Sequence, residues 1–237
     1  MKKLGIIGAM TVEVETLKAQ LKDMNETTRA GMTFYEGTLE NLPVVLVVCG
    51  VGKVNAALCV QVLCDCFGVT HIVNTGVAGS LCAELDIGDF VISEKAMYHD
   101  FDCSSLNPDY PVGKVPGLSV HAFEADAEMI RLAYDAAQEV HAGHARKGIV
   151  ASGDQFVSSK TQKAKIVADT GAICTEMEGT AIAHAAWRNG VPFVVIRAIS
   201  DKADDSAEMD YPTFEALAAQ RCAQVTMLLA KQLAKTV

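Results

Sequence analysis

The sequence predicts an α/β fold, with a buried, largely parallel sheet and helices between its strands. Two observations carry this reading. Apolar runs of strand length recur along the chain, and most are separated by segments whose apolar residues fall at helical spacing. Half of the 237 residues are apolar and 21% are charged, which favours one large domain over residues 1–237 rather than two small ones.

The elements follow in order. LGIIG (4–8) reads as a first buried strand; a secretory leader is a poorer account, because Glu13 and Glu15 follow at once without a small-residue cleavage pattern. Val14, Leu17, Leu21 and Met24 have the spacing of one helix face. MTFYEGTLE (32–40) alternates and leads through Asn41 and Pro43 into VVLVVC (44–49), predicting a hairpin on the edge of the sheet. A helix over 54–67 precedes the strands HIVNT (71–75) and FVISE (90–94). Residues 100–120, rich in Asp, Ser, Pro and Gly, form one long loop, a length often tied to function. A helix over 126–140, the strand KGIVAS (147–152), a helix over 180–189, the strand PFVVIRAIS (192–200) and a last helix over 214–235 complete the chain.

Composition narrows the function. The net charge is −9 and the 20 basic residues form no run, which argues against nucleic acid or an acidic membrane as a partner. Every apolar run is broken before the length of a membrane span, and a cytoplasmic location is expected. The eight cysteines lie mostly in apolar runs without a C-x-x-C pair, so they read as reduced core residues. Gly50-Val51-Gly52-Lys53 is not a phosphate loop: no Gly stands five residues before Gly52, and Val54 follows the Lys where Ser or Thr is needed. His141 and His144 have metal-like spacing but no third ligand nearby in the sequence, and they read as exposed. His184 reads as a packing residue, and neither a G-x-S-x-G elbow nor a cysteine-nucleophile signature occurs.

Ligands of open α/β sheets sit beyond the carboxyl ends of the strands, so the residues that follow each strand matter most. Here they are polar and glycine-rich: GAMTVE with Glu13, NTGVAGS, SGDQF, EMEG with Glu176 and Glu178, and SDKADD with Asp201. Taken singly, Glu13 and Glu178 are accounted for by the dipole of a following helix, and Asp201 by a capping role. Capping does not require four carboxylates at one edge of a sheet. Jointly they indicate a site.

The ordered series GIIGAM, GVGK, NTGVAG, YHDFD, SGDQF, EMEGTAIAH and RAISDKAD closely resembles the 5′-methylthioadenosine/S-adenosylhomocysteine nucleosidases of the purine nucleoside phosphorylase and uridine phosphorylase superfamily. The resemblance implies a three-layer αβα sandwich around a central mixed, largely parallel sheet. It also implies a homodimer and hydrolysis of the N-glycosidic bond of a small-molecule 5′-substituted adenosine, without metal or cofactor. By the same resemblance Asp201 is the general acid at purine N7, and Glu13, with Arg197 nearby, is the base that activates water. Glu178 takes the ribose hydroxyls, with Glu176 and Met177 beside it. Phe156, Val157, Ser200 and Ala203 lie on the purine side. Met10, Ala9, Tyr211 and Val77 line the sugar and alkylthio pocket, which Leu106 enters from the partner subunit.

This chain departs from the family pattern at several positions. Val77 stands where many members have a serine that helps hold water, which places more weight on Glu13 and Arg197. Leu106 and Pro108 replace aromatic residues of the long loop. Asn74 occupies the region where the phosphorylases carry a phosphate-binding arginine, so hydrolysis is expected over phosphorolysis. Three readings stay open at this level: a nucleosidase, including futalosine-type members, a phosphorylase of the same fold, and a non-catalytic binder of adenosine derivatives.

Overall fold

The structure, a computed structural model, describes residues 2–236. In chain order the elements are β1 (Leu4–Gly8), α1 (Thr11–Lys18), β2 (Lys22–Arg29), β3 (Met32–Leu39), β4 (Leu42–Val48), α2 (Lys53–Phe67), β5 (His71–Ser80), β6 (Phe90–Tyr98), β7 (Phe123–Glu124), α3 (Ala127–Val140), β8 (Ala145–Ser152), α4 (Lys160–Thr170), β9 (Cys174–Glu176), α5 (Gly179–Asn189), β10 (Phe193–Asp201) and α6 (Ala207–Leu233).

The strands form one mixed sheet in the order β10-β6-β8-β9-β5-β1-β4-β3-β2, with β7 paired to β6. Five pairings are parallel and five antiparallel. Because β10 also pairs with β5, the strands β5, β10, β6, β8 and β9 close into a ring, and β1, β4, β3 and β2 fan out from it. Two large apolar cores result, with a smaller cluster around Leu81, Val157 and Ile166. On one face Ala56, Cys59, Val60 and Leu63 of α2 pack with Ala181, Ile182 and Ala186 of α5. On the other, Val14 and Leu17 of α1, Leu132 and Ala136 of α3, and Cys222, Val225 and Leu229 of α6 cover the sheet. The expected α/β architecture, a central mixed sheet with helices on its faces, is the observed one.

Local chemistry sets the boundaries. Asp126 and Ser159 cap α3 and α4 by accepting the amides of Met129 and Gln162. The hairpin between β3 and β4 turns on Glu40 and Asn41, with φ 51° and 66°, the mirror-image turn that matches strand twist.

Several expectations are corrected. The helix expected through Met24 ends at Lys18, and Leu21 and Met24 lead into and enter β2, whose polar residues pair along β3. The true sheet edge is therefore β2, where Lys22, Asp23, Glu26 and Arg29 guard the open hydrogen-bonding side. Strand β5 does not stop at Thr75 but runs through NTGVAG to Ser80, so these glycines lie inside a strand. The last helix starts at Ala207, before the predicted Phe214, and carries Pro212 in its second turn, where the ring removes one amide bond and crowds the carbonyl four residues back. Helix α4 and strand β9 were not expected: α4 buries only Ile166 and Thr170, and β9 is three residues long.

Candidate active site

A cleft with about 590 Å³ of open space, its mouth included, lies where the ends of β1, β5, β9 and β10 meet. Glu13, Glu176, Glu178 and Asp201 line it, together with Ala9, Met10, Val77, Phe156, Val157, Met177, Ser200 and Tyr211. Most of the residues expected from the sequence therefore converge.

Each carboxylate is held by backbone amides, which fixes its direction. Glu13, in the first turn of α1, reaches back so that its Oε2 accepts the amides of Ala9 (2.7 Å) and Met10 (3.0 Å), while Oε1 accepts the amide of Val77 (3.1 Å). Glu176 Oε2 accepts the amides of Glu178 (3.0 Å) and Gly179 (2.7 Å), and its Oε1 accepts the Ser152 hydroxyl. Glu178 Oε1 accepts the amide of Gly52 at 2.7 Å. Asp201 Oδ1 accepts the amide of Ala203 at 2.8 Å, and Oδ2 accepts the Ser200 hydroxyl at 2.9 Å. Gly76 makes this packing possible, because a Cβ there would overlap the Arg197 guanidinium and the Glu13 carboxylate.

Burial governs the protonation of these groups. It raises the pKa of Glu13 above the ordinary 4.5, against the opposing pull of Arg197 and three amides. Glu178 is raised by burial and then by the neighbouring Glu176 charge, with Arg197 and the Gly52 amide opposing. Asp201 is also raised by burial, against the amide of Ala203 and the hydroxyl of Ser200. Burial works against the Arg197 cation, but Glu176, Glu13 and Glu178 outweigh it and raise its pKa further. That side chain is charged.

Two expected site residues lie behind the wall rather than in it. Arg197 is 1% exposed, does not line the cleft, and pairs with Glu176 and the Asn74 side-chain carbonyl, 4.0 Å from Glu178. It neutralises clustered carboxylates instead of meeting solvent, because a cation on a strand buried on both faces must find its partners inside. Ala203 is likewise buried outside the cleft, where its amide holds Asp201 and its methyl packs behind the wall. Leu106 is 77% exposed and does not line its own chain's cleft. Phe156 is 47% exposed at the mouth, edge-on to Tyr211 at 5.6 Å. The Tyr211 hydroxyl donates to Glu215 Oε1 at 2.8 Å and lies 3.3 Å from Met10 Sδ.

The sequence did not reveal several contributors. Gly52 acts through its amide, which has no side-chain signature. Thr175 lines the cleft with a buried hydroxyl that has no partner among the described residues, and Gln155 and Gly79 complete the wall. His184 packs as expected, stacked on Phe123 at 4.6 Å.

The phosphorylase superfamily model matches residues 3–231. A 5′-methylthioadenosine/S-adenosylhomocysteine nucleosidase of Oceanobacillus iheyensis is 38% identical over 232 residues, covering 97% of this chain and 99% of the relative. The chain belongs to this nucleosidase family, within the phosphorylase superfamily. Among solved structures, the family's Neisseria meningitidis nucleosidase in complex with methylthio-immucillin-A superposes with a TM-score of 0.94 at 33% identity, over 98% of this chain and 100% of the other. The futalosine hydrolase of Helicobacter pylori superposes with a TM-score of 0.91 at 34% identity, over 98% of each chain. The nucleosidase fold thus extends over nearly all of this chain.

Proposed function

We propose that the protein hydrolyses the N-glycosidic bond of 5′-methylthioadenosine and S-adenosylhomocysteine, releasing adenine and the 5′-substituted ribose. The observation that carries this reading is a cleft walled by four carboxylates with no Lys or Arg side chain in the lining. Such a wall stabilises a sugar that becomes cationic as its bond breaks, and it repels a phosphate dianion. Asn74, where a phosphorylase would offer a cation, is spent on Arg197 and the Ile7 carbonyl.

In the reaction the C1′–N9 bond breaks, a proton passes to purine N7, and water adds to C1′ while losing a proton. Asp201 supplies the proton to N7; its raised pKa keeps it closer to the protonated form a donor needs. Glu13 takes the proton from water, and its raised pKa brings it towards the working range of a base. Glu178 accepts the ribose hydroxyls, and charge-assisted hydrogen bonds of this kind contribute about 1.5–3 kcal/mol. Met177 and Glu176 lie on the ribose side. Phe156 stacks on the purine, with Val157 and Ser200 beside it, and Ala9, Met10, Val77 and Tyr211 take the sugar and its 5′ group. Arg197 acts through the glutamates that it holds.

The similarity to a futalosine hydrolase motivates a second reading, in which the same bond is cleaved in a substrate with a larger 5′ group. A panel of 5′-substituted adenosines and futalosine, assayed in phosphate-free buffer, separates the readings by rate. Free ribose products are expected. A strict need for phosphate, with a sugar 1-phosphate as product, would refute hydrolysis.

The working unit is a homodimer. Exposed apolar side chains of Val51, Val54 and Leu58 at and beyond the start of α2, and of Leu106 in the long loop, support this reading. Sedimentation that finds a fully active monomer would overturn this assignment.

A further inference from the structure

A second cluster of chemically capable side chains lies outside the cleft. Asp89 immediately precedes β6, His141 closes α3, and His144 ends the turn that leads into β8. One ligand atom from each lies within 4.8 Å of the others. The two imidazoles stack with centroids 3.7 Å apart, and His144 Nδ1 is 2.7 Å from Asp89 Oδ1. The third ligand that the sequence did not provide beside the histidine pair comes from the neighbouring strand.

The surrounding backbone sets this arrangement. Asp89 is buried, and its Oδ2 accepts the amide of Asp86 at 2.9 Å, which turns Oδ1 towards the histidines. Orientation of a ligating group by such a second hydrogen bond is a recurring property of metal sites. The amide of Phe90 donates to the His144 carbonyl at 2.7 Å, and the amide of His144 to the His141 carbonyl at 3.1 Å, tying turn and strand together. The nearby cations are already engaged, Lys202 with Asp86 and Arg146 with Glu84.

An Asp–His pair with a second ring stacked on it accounts for most of these contacts. It leaves out His141 Nδ1, which is shielded from solvent and has no hydrogen-bond partner among the described residues. Buried polar atoms without partners are uncommon in folded proteins, and a metal ion is one kind of partner that satisfies a ring nitrogen. Two imidazoles and a carboxylate form a ligand set suited to divalent transition metals. The lone pairs of the near-parallel stacked rings do not converge, so the half-exposed His144 must swing out of the stack and release Asp89 for both rings to share an ion.

We propose that Asp89, His141 and His144 bind a divalent transition-metal ion of the zinc or cobalt class. Bound there, the ion staples the end of α3 and the start of β8 to the head of β6. The carbonyl of Asp89 in turn accepts the amide of Ile199 at 2.9 Å, on the strand that ends in Asp201. The site is a structural clamp and takes no part in the hydrolytic step.

Cobalt(II) is the probe, because its visible absorption reports coordination and distinguishes imidazole from thiolate ligands. Protein freed of metal, with its thiols reduced, should bind one Co²⁺ per chain with no thiolate charge-transfer band, and its Tm should rise as ion is added. His144→Ala removes a half-exposed side chain and should fold normally, keep its adenine-releasing activity and weaken Co²⁺ binding at least about tenfold. Asp89→Asn should weaken binding similarly, whereas Cys66→Ser, at the exposed cysteine near the end of α2, should leave it unchanged. Failure of the wild type to bind Co²⁺, undiminished binding by His144→Ala, or a thiolate band that disappears in Cys66→Ser would overturn the proposal.

Discussion

Replacing Arg197 with glutamine removes a guanidinium that is 1% exposed and balances three glutamates. It pairs with Glu176, lies 4.0 Å from Glu178 and lowers the pKa of Glu13. Breaking a buried ion pair by removing one partner costs about 3–5 kcal/mol, and three stranded carboxylates place this case in the upper part of that range. For a chain of this size that corresponds to a fall in Tm of roughly 10–20 °C. The loss must depend on pH. Without Arg197, folded Glu13 and Glu178 hold protons more tightly than the unfolded chain, whose ordinary pKa is 4.5. The folded variant then binds excess protons, so its stability falls as pH rises from that value through the raised folded pKa. Urea unfolding at fixed protein concentration, followed by Trp187 fluorescence, should show a larger deficit at pH 8 than at pH 5.5. In the Arg197→Gln background, Glu176→Gln should cost far less than in the wild type, since the pair is already broken. A deficit below about 1 kcal/mol at pH 8, or one that grows on acidification, would show that the guanidinium does not balance these charges.

Other expectations divide the site by role. Asp201→Asn keeps the shape of the side chain but not its acidity, so kcat should fall about 10²–10⁴-fold with little change in substrate Kd; more than about a tenth of wild-type kcat remaining would exclude it as the acid. Glu178→Gln should raise KM and lower kcat together, because it weakens contacts made before and during bond cleavage. The same variant should be more stable than the wild type at alkaline pH. Burial raises the folded pKa of Glu178, so the native carboxyl's contribution to stability is lost as pH rises through that value, and glutamine does not titrate. Thermal melts between pH 4 and 9 would show whether that advantage vanishes at the acid end. Gly76→Ala should lose about 1–3 kcal/mol of stability and most of its activity, because the added methyl displaces Arg197 and Glu13; an unchanged melting curve would contradict the packing described.

The parts of this architecture that announce themselves in sequence are those that depend on apolar pattern. The segment 4–8 is β1 without adjustment, and the helices α2, α3 and α5 begin within one residue of the pattern. Pattern fails where burial is slight or on both sides. KTQKAKIVADT has too few apolar residues to mark α4, and Gly76 and Gly79 disguise the second half of β5 as a turn. Glu13 and Asp201 were legible because each follows an expected strand, whereas Glu176 and Glu178 end and follow β9, which the apolar pattern did not mark. The depth of Arg197 was not, since β10 is buried along its whole length and no alternation shows which way a side chain points. The metal ligands were half legible: the histidine pair is local, but Asp89 is brought to it only by the pairing of β6 with β8.

Two of the amides that hold the carboxylates come from distant parts of the chain. Gly52 is 126 positions from Glu178 and Val77 is 64 from Glu13, while the Arg197–Asn74 contact spans 123. No contiguous fragment contains a finished site. Closing loops of this length has an entropic cost that must be met before the contacts repay it, so catalytic competence belongs to the late stages of folding. During refolding, helix content measured by circular dichroism should return before adenine release does. Turnover in this protein is thus a direct report that the two ends of the chain have found each other.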